Sequence, residues 1–108
     1  MRIIARRTLL KFVRTRLGRR DHGAVKNAVD AWFDEVRRAK WRSAADVKRL
    51  YSFASVVSAD RIVFNIKGHD YRLVTSVDFE KGIVRIKWIG THKEYGRIDI
   101  KKVDHERR

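Results

Sequence analysis

Several features that would point to particular protein classes are missing from this chain. It contains no cysteine, which excludes a disulfide framework and a thiolate metal site. No apolar run approaches the roughly 20 residues of a membrane-spanning helix, so we expect no membrane partner. The start of the chain, residues 1–7, lacks the apolar region of a secretory signal. A cytoplasmic location is therefore the default expectation.

Motifs for nucleotide and metal chemistry are also missing. The sequence has no Walker motif and no Gly-x-Gly-x-x-Gly, and it has neither His-x-x-x-His nor a carboxylate cluster with ligand spacing. Asp78 and Glu80 straddle a turn and are better explained as solvated side chains. We therefore expect no metal and no small-molecule cofactor.

Acidic residues are scarce relative to basic ones. The 27 Lys and Arg outnumber the 13 Asp and Glu, which gives a formal net charge of +14 and a pI near 10.9. Such an excess favours an anionic partner: nucleic acid, an anionic membrane or an acidic protein. With 108 residues, of which 44% are hydrophobic, the chain should fold as one domain spanning residues 1–108.

The apolar spacing predicts helices before strands. A first short strand could form at residues 2–4, and helices are expected at 8–17 and 24–40, with Asp21 as a candidate cap of the second helix. A capping pattern from Ser43 to Asp46 predicts one helical turn near Val47. Residues 51–59 are ambiguous.

Three strands are predicted next, at 61–66, 70–78 and 82–89. Their connections are short and contain glycine, which favours antiparallel hairpins. Thr91 and Glu94 form a second capping pattern, so a helical turn should start there. The polar tail, residues 101–108, is expected to fray. Helices first and hairpins after indicate the α+β class.

The predicted strands sort their side chains by face, because side chains alternate along a strand. One face would be basic and polar: Arg61, Asn65, Lys67, Arg72, Ser76, Arg85 and Lys87. The other would be apolar and buried: Ile62, Phe64, Ile66, Tyr71, Leu73, Val77, Val84, Ile86 and Trp88. Because the strand aromatics fall on the apolar face, the basic face should grip phosphates rather than stack bases.

His92 is the best candidate acid–base group, since histidine changes charge near neutral pH. Lys87, Lys93 and Tyr95 lie near it in sequence. Cleavage of RNA by its own 2′-OH needs a base, cations for the phosphorane and an acid, and these residue types can supply all three without metal. From composition alone, a solvated basic face, nucleic-acid binding without chemistry and catalysis all remain open.

Two segments carry a resemblance to a known family. Residues 64–74 fit F-N-x-x-G-x-x-x-R-x-V, and residues 91–95 read Thr-His-Lys-Glu-Tyr. Together they resemble the HigB toxins of type II toxin–antitoxin modules. The resemblance covers residues 60–96 well, whereas over residues 1–59 it covers only the order of the helices.

The resemblance implies a single RelE-like toxin domain, with a small antiparallel sheet packed against N-terminal helices. It implies a ribosome-dependent mRNA interferase that cuts mRNA in the ribosomal A site without metal. It also implies a HigA-like helix-turn-helix antitoxin as partner. A non-catalytic basic RNA-binding or ribosome-associated protein is the alternative.

Site residues follow from the same resemblance. Arg72 would hold the scissile phosphate, Lys87 would stabilise the phosphorane, and His92 would act as acid or base. Lys93 and Tyr95 complete the catalytic set, with Tyr95 stacking on a base or orienting the phosphate. The RNA-binding candidates are Asn65, Lys67, Arg61 and Arg85. One departure is Gly96, which stands where the family often has Asp, and Glu94 is better explained as a capping partner of Thr91.

Overall fold

The computed structural model describes residues 1–104, which form four helices and one five-stranded sheet. In the sheet the strand order is β1-β5-β4-β3-β2, and all neighbours are antiparallel except β1 and β5, which are parallel. The predicted α+β class is confirmed. In chain order the elements are β1 (Arg2–Ile4), α1 (Arg6–Thr15), α2 (His22–Arg38), α3 (Ala44–Leu50), β2 (Ser55–Val56), β3 (Arg61–Ile66), β4 (Tyr71–Asp78), β5 (Ile83–Thr91) and α4 (His92–Tyr95).

Asp21 and Ser43 stand at the predicted N-cap positions of α2 and α3, but their side chains do not form the capping hydrogen bonds. Asp21 precedes α2 but makes no capping bond; it accepts a hydrogen bond from the Tyr71 hydroxyl and pairs with Arg16 at 3.3 Å. Ser43 likewise makes no capping bond to α3. Asp21 therefore ties the turn between α1 and α2 to strand β4. No helix within residues 1–104 is both long and apolar enough to cross a membrane.

The main core lies between the helices and one face of the sheet. Helices α1 and α2 supply Leu9, Val25, Val29, Trp32 and Val36, all at most 3% exposed. Apart from Trp88, the residues predicted on the apolar face form the sheet side of this core. Thr75 belongs to the same face and is fully buried, which is possible because its hydroxyl donates to the Ile62 carbonyl at 2.8 Å.

Trp88 does not lie on this helix-facing side, and its predicted placement there is wrong. Ile86 is paired with Thr75, but the next pair along the strands is Trp88 with Val74. Lys87 is therefore an extra residue, a β-bulge that reverses the side-chain alternation in the rest of β5. Beyond the bulge, Trp88 points to the opposite face and Ile89 replaces it in the main core.

The predicted basic face consequently has an apolar centre. Val63, Val74 and Trp88 are buried there as a second cluster. Residues 97–104, called the C-terminal segment below, cover this cluster with Ile98, Ile100 and Val103. Residues 101–104, which were expected to fray, thus lie against the sheet; the rest of that predicted tail, 105–108, is outside the described residues.

Candidate active site

The residues of the Thr-His-Lys-Glu-Tyr motif lie where β3, β4 and β5 reach one end of the sheet. Asn65 is paired with Arg72, which is in turn paired with Gly90, so these three residues form a row across the strands. All three belong to the face opposite the main core. Helix α4 follows β5 directly, which brings the motif to this row.

Arg72 is held by backbone carbonyls and faces an aromatic ring. Its Nη1 donates to the His69 carbonyl at 2.6 Å and to the Tyr71 carbonyl at 3.3 Å. Its guanidinium carbon lies 5.9 Å from the centre of the Tyr95 ring. Across residues 1–104, no carboxylate forms an ion pair with Arg72. A fixed, half-buried guanidinium without a carboxylate partner is suited to binding a phosphate.

The predicted capping box of α4 is confirmed. The Glu94 backbone N–H donates to Thr91 Oγ1 at 3.1 Å, and the Thr91 backbone N–H donates to Glu94 Oε1 at 2.9 Å. The backbone N–H of His92 donates to the Asp70 carbonyl at 3.0 Å, which joins α4 to the turn between β3 and β4. Glu94 therefore has a structural role, and the turn presents the exposed side chains of His92 and Lys93 beside the row.

Gly90 leaves room for the Trp88 side chain at this end of the sheet. A Cβ atom built on Gly90 would come within 2.5 Å of Trp88 Cζ2 and 3.1 Å of Glu94 Oε1. The indole of Trp88 thus lies over the Gly90 backbone, and it also contacts the Tyr95 ring at a centroid distance of 6.4 Å. Only glycine fits at this point of the row.

Tyr95 is a protonated phenol at neutral pH. Burial raises the pKa of Tyr95, and the positive charge of Arg72 offsets part of that rise. The side chain is half-buried between the second apolar cluster and Arg72. It can therefore donate a hydrogen bond to an anion held by Arg72.

Two residues that sequence reasoning did not select join this site. His69 approaches Asn65, with 3.4 Å between His69 Nδ1 and Asn65 Nδ2. Phe53 places its ring 6.1 Å from that of His69, in an edge-to-face arrangement. His69 lay inside the quoted family pattern at a variable position, and Phe53 fell in the ambiguous stretch 51–59. Neither position carried a local signal, because the contact between them depends on how α3 leads into β2.

Lys87 and Arg61 are both engaged by the C-terminal segment. Lys87 Nζ pairs with Asp104 at 3.1 Å, and the two side chains are 17% and 10% exposed. Arg61 Nη1 donates to the Val103 carbonyl at 2.9 Å and lies 3.4 Å from the Ile100 carbonyl. In this conformation the Lys87 ammonium and the Arg61 guanidinium are both bound to groups of the protein.

The remaining two RNA-binding candidates lie outside the row. Arg85 is exposed and, with Arg6, Arg7 and Lys87, lines an open cavity of about 460 Å³ near the start of α1. Lys67 lies in the turn between β3 and β4 and pairs with Asp70 at 2.7 Å, a contact that raises the pKa of Lys67. Residues 1–104 contain no cluster of three His, Cys, Asp or Glu side chains that could hold a metal ion.

Fold and site together describe a small basic α+β protein that carries an arginine suited to binding an anion, a phenol and a histidine-bearing turn at one end of its sheet. Residues 25–98 match the family model HigB_toxin, described as the RelE-like toxic component of a toxin–antitoxin system. The match covers well over half of the sequence, so the chain belongs to the HigB_toxin family and has its RelE-like α+β fold. Membership implies an antitoxin partner. None of the curated proteins matches the chain.

Proposed function

We propose that the protein is a ribosome-dependent endoribonuclease that cuts translated mRNA in the ribosomal A site. The observation that carries the proposal is Arg72, a guanidinium that lacks a carboxylate partner within residues 1–104 and is fixed against Tyr95 beside the His92 turn. The membership of the protein in a toxin family supports a harmful activity, and its net charge of +14 supports an RNA target.

The reaction is attack of the ribose 2′-oxygen on the adjacent phosphorus. A new O–P bond forms, the bond from phosphorus to the 5′-oxygen breaks, and the products carry a 2′,3′-cyclic phosphate and a 5′-hydroxyl. One group removes the 2′-OH proton and another protonates the leaving oxygen. His92 performs one of these transfers, while Arg72 binds the phosphate and Tyr95 orients it. Lys93 adds positive charge, and no metal is needed at the chemical step.

Two lysines, two arginines and one asparagine complete the proposed RNA contacts. Lys87 stabilises the phosphorane only if it exchanges Asp104 for the phosphate, because its ammonium group is paired in this conformation. Asn65 contacts the nucleotide next to Arg72, with which it is paired across the strands. Arg61, Lys67 and Arg85 contribute further cations for the RNA backbone. A HigA-like helix-turn-helix antitoxin silences the protein in the cytoplasm, where its ribosomal target is found.

Two alanine variants and one control test the proposal. Arg72→Ala and His92→Ala should each lower single-turnover cleavage on programmed ribosomes by about 100-fold or more. The free energy of unfolding of each variant should lie within about 1 kcal/mol of the wild-type value, because neither side chain belongs to either apolar cluster. Arg19→Ala removes the same charge from the exposed turn between α1 and α2 and should cleave normally.

Product ends and metal substitution complete the test. The new 3′ ends should be 2′,3′-cyclic phosphates, and cobalt hexammine should replace magnesium without loss of rate as long as the ribosomes stay intact. Tight ribosome binding without any cleavage would instead identify a non-catalytic RNA-binding protein. A 3′-hydroxyl product would contradict attack by the 2′-oxygen.

A further inference from the structure

Phe53 is the most exposed of the large apolar side chains in residues 1–104, at 75% of its surface. It lies in the short loop between α3 and β2. With Leu50, which is 50% exposed, it borders an open cavity of about 350 Å³ whose other lining residues include Asn65, Gly68 and His69. An aromatic ring left in water at the edge of a cavity with both polar and apolar lining suggests a ligand that covers it.

The loop holds Phe53 outward through fixed contacts on both sides. Tyr51 donates its hydroxyl to Glu35 at 2.8 Å, and Ala54 is only 3% exposed. Lys48 Nζ donates to the carbonyls of Ser52 and Ala54, both at 2.7 Å. The exposed ring is thus presented by an anchored turn, so a ligand would not have to order the loop.

A short chain of contacts connects Phe53 to the phosphate-binding arginine. The Phe53 and His69 rings are 6.1 Å apart, His69 Nδ1 is 3.4 Å from Asn65 Nδ2, and the His69 carbonyl accepts the 2.6 Å bond from Arg72. A single residue, His69, therefore separates the exposed ring from the guanidinium. That spacing suits neighbouring parts of one nucleotide strand.

We propose that Phe53 is a stacking platform for a nucleobase of single-stranded RNA, next to the phosphate that Arg72 binds. Asn65 and His69 then face the edge of that base. The proposal rests on the proposed function for the phosphate at Arg72. Apolar side chains such as Leu50 line this cavity together with Asn65 and His69, and the net charge of +14 favours an anionic RNA strand over an apolar peptide. Stacking needs only a π-face and tolerates such polar surroundings.

The test uses a short single-stranded RNA with one 2-aminopurine, whose fluorescence is quenched by stacking. Wild-type protein should quench the probe on binding, and Phe53→Ala should bind roughly tenfold more weakly with the quenching lost. Phe53→Trp should keep both properties. Leu17→Ala, a change at an apolar side chain that is 63% exposed near the end of α1, is the matched control and should behave as wild type.

Salt dependence separates stacking from charge. Phe53→Ala removes no cation, so the slope of log K against log salt should match that of the wild type, whereas Arg72→Ala should make it shallower by about one. A thermal melt of Phe53→Ala should match the wild type because the ring is exposed. If Phe53→Ala binds the RNA and quenches the probe as the wild type does, Phe53 is not a stacking platform. The same conclusion follows if Phe53→Ala loses affinity for the antitoxin while its RNA binding stays intact.

Cleavage on programmed ribosomes distinguishes this proposal from the proposed function. If the wild type cleaves and Phe53→Ala keeps its kcat/KM as well as its RNA binding, the platform is wrong and the nuclease function stands. If the wild type does not cleave, the nuclease function fails. The stacking role of Phe53 is then decided by the binding assay with the isolated RNA. Loss of quenching in Phe53→Ala supports that role, and unchanged quenching contradicts it.

Discussion

Replacing Gly90 with alanine should destabilise the protein by about 1–3 kcal/mol, the usual cost of forcing an extra methyl group into a filled space. The new Cβ would come within 2.5 Å of Trp88 Cζ2 and 3.1 Å of Glu94 Oε1. Neither neighbour can easily retreat. Trp88 is only 6% exposed within the second apolar cluster, and Glu94 Oε1 holds the Thr91 backbone N–H at 2.9 Å. The backbone itself is not the obstacle, because Gly90 has no positive φ.

A double-mutant cycle identifies the steric contact as the cause. Trp88→Leu removes the indole atoms that the new methyl group would meet and should cost less than the roughly 3–5 kcal/mol of truncation to alanine. In that background Gly90→Ala should cost much less, because only the 3.1 Å contact with Glu94 Oε1 remains, so the two changes should be strongly non-additive. Urea unfolding gives the free energies, and a melt should show a loss of about 4 °C for each kcal/mol. An equal penalty for Gly90→Ala in both backgrounds would refute the reasoning.

Two further predictions concern acid stability and the C-terminal segment. The hydrogen bond from Tyr71, then the charge of Arg16, holds the pKa of Asp21 below its usual value of 3.8, so its contribution to stability is complete above about pH 4 and disappears as the pH falls through the lower folded pKa. Asp21→Asn should therefore be less stable than the wild type in urea at pH 7, with the difference shrinking in acid; an equal difference at both pH values would exclude this linkage. Asp104→Asn should release Lys87 and raise affinity for single-stranded RNA at low salt, with a salt slope steeper by about one. An unchanged slope in a salt titration would show that Lys87 does not reach the RNA.

Much of the fold follows from local patterns in the sequence. The helices, the three long strands and the capping box at Thr91 depend on spacing and turn residues within a few positions of one another. The predicted family is confirmed for the same reason, because its motif is continuous. The bulge at Lys87 could not be read in this way, since a bulge depends on the partner strand and leaves the residues of β5 looking like regular alternation.

The candidate site could likewise be predicted from the sequence only in part. Arg72 and Asn65 could be placed on one face because both lie in regular strands, and the structure pairs them directly. The engagement of Arg61 and Lys87 by the C-terminal segment was not predictable, since it joins residues 17 to 42 positions apart in the chain. Phe53 was missed because its importance comes from exposure beside His69, and exposure is a property of the folded molecule.

The bulge at Lys87 makes the length of β5 a matter of function as well as packing. If Lys87 took a regular place in the ladder, strict alternation would send Trp88 and Gly90 toward the helices and turn Ile89 and Thr91 to the other face. Thr91, which caps α4, would then lie on the wrong side of the sheet, and His92 and Tyr95 would be rotated away from Arg72. Deletion of Lys87 itself should leave the later side chains on their present faces, whereas deletion of Ile89 should turn Gly90 and Thr91 to the wrong faces and be far more damaging. In comparisons between related chains, a gap at position 87 is compatible with the same arrangement around Arg72, whereas a gap between Trp88 and Thr91 signals a different one, even where the motif itself is intact.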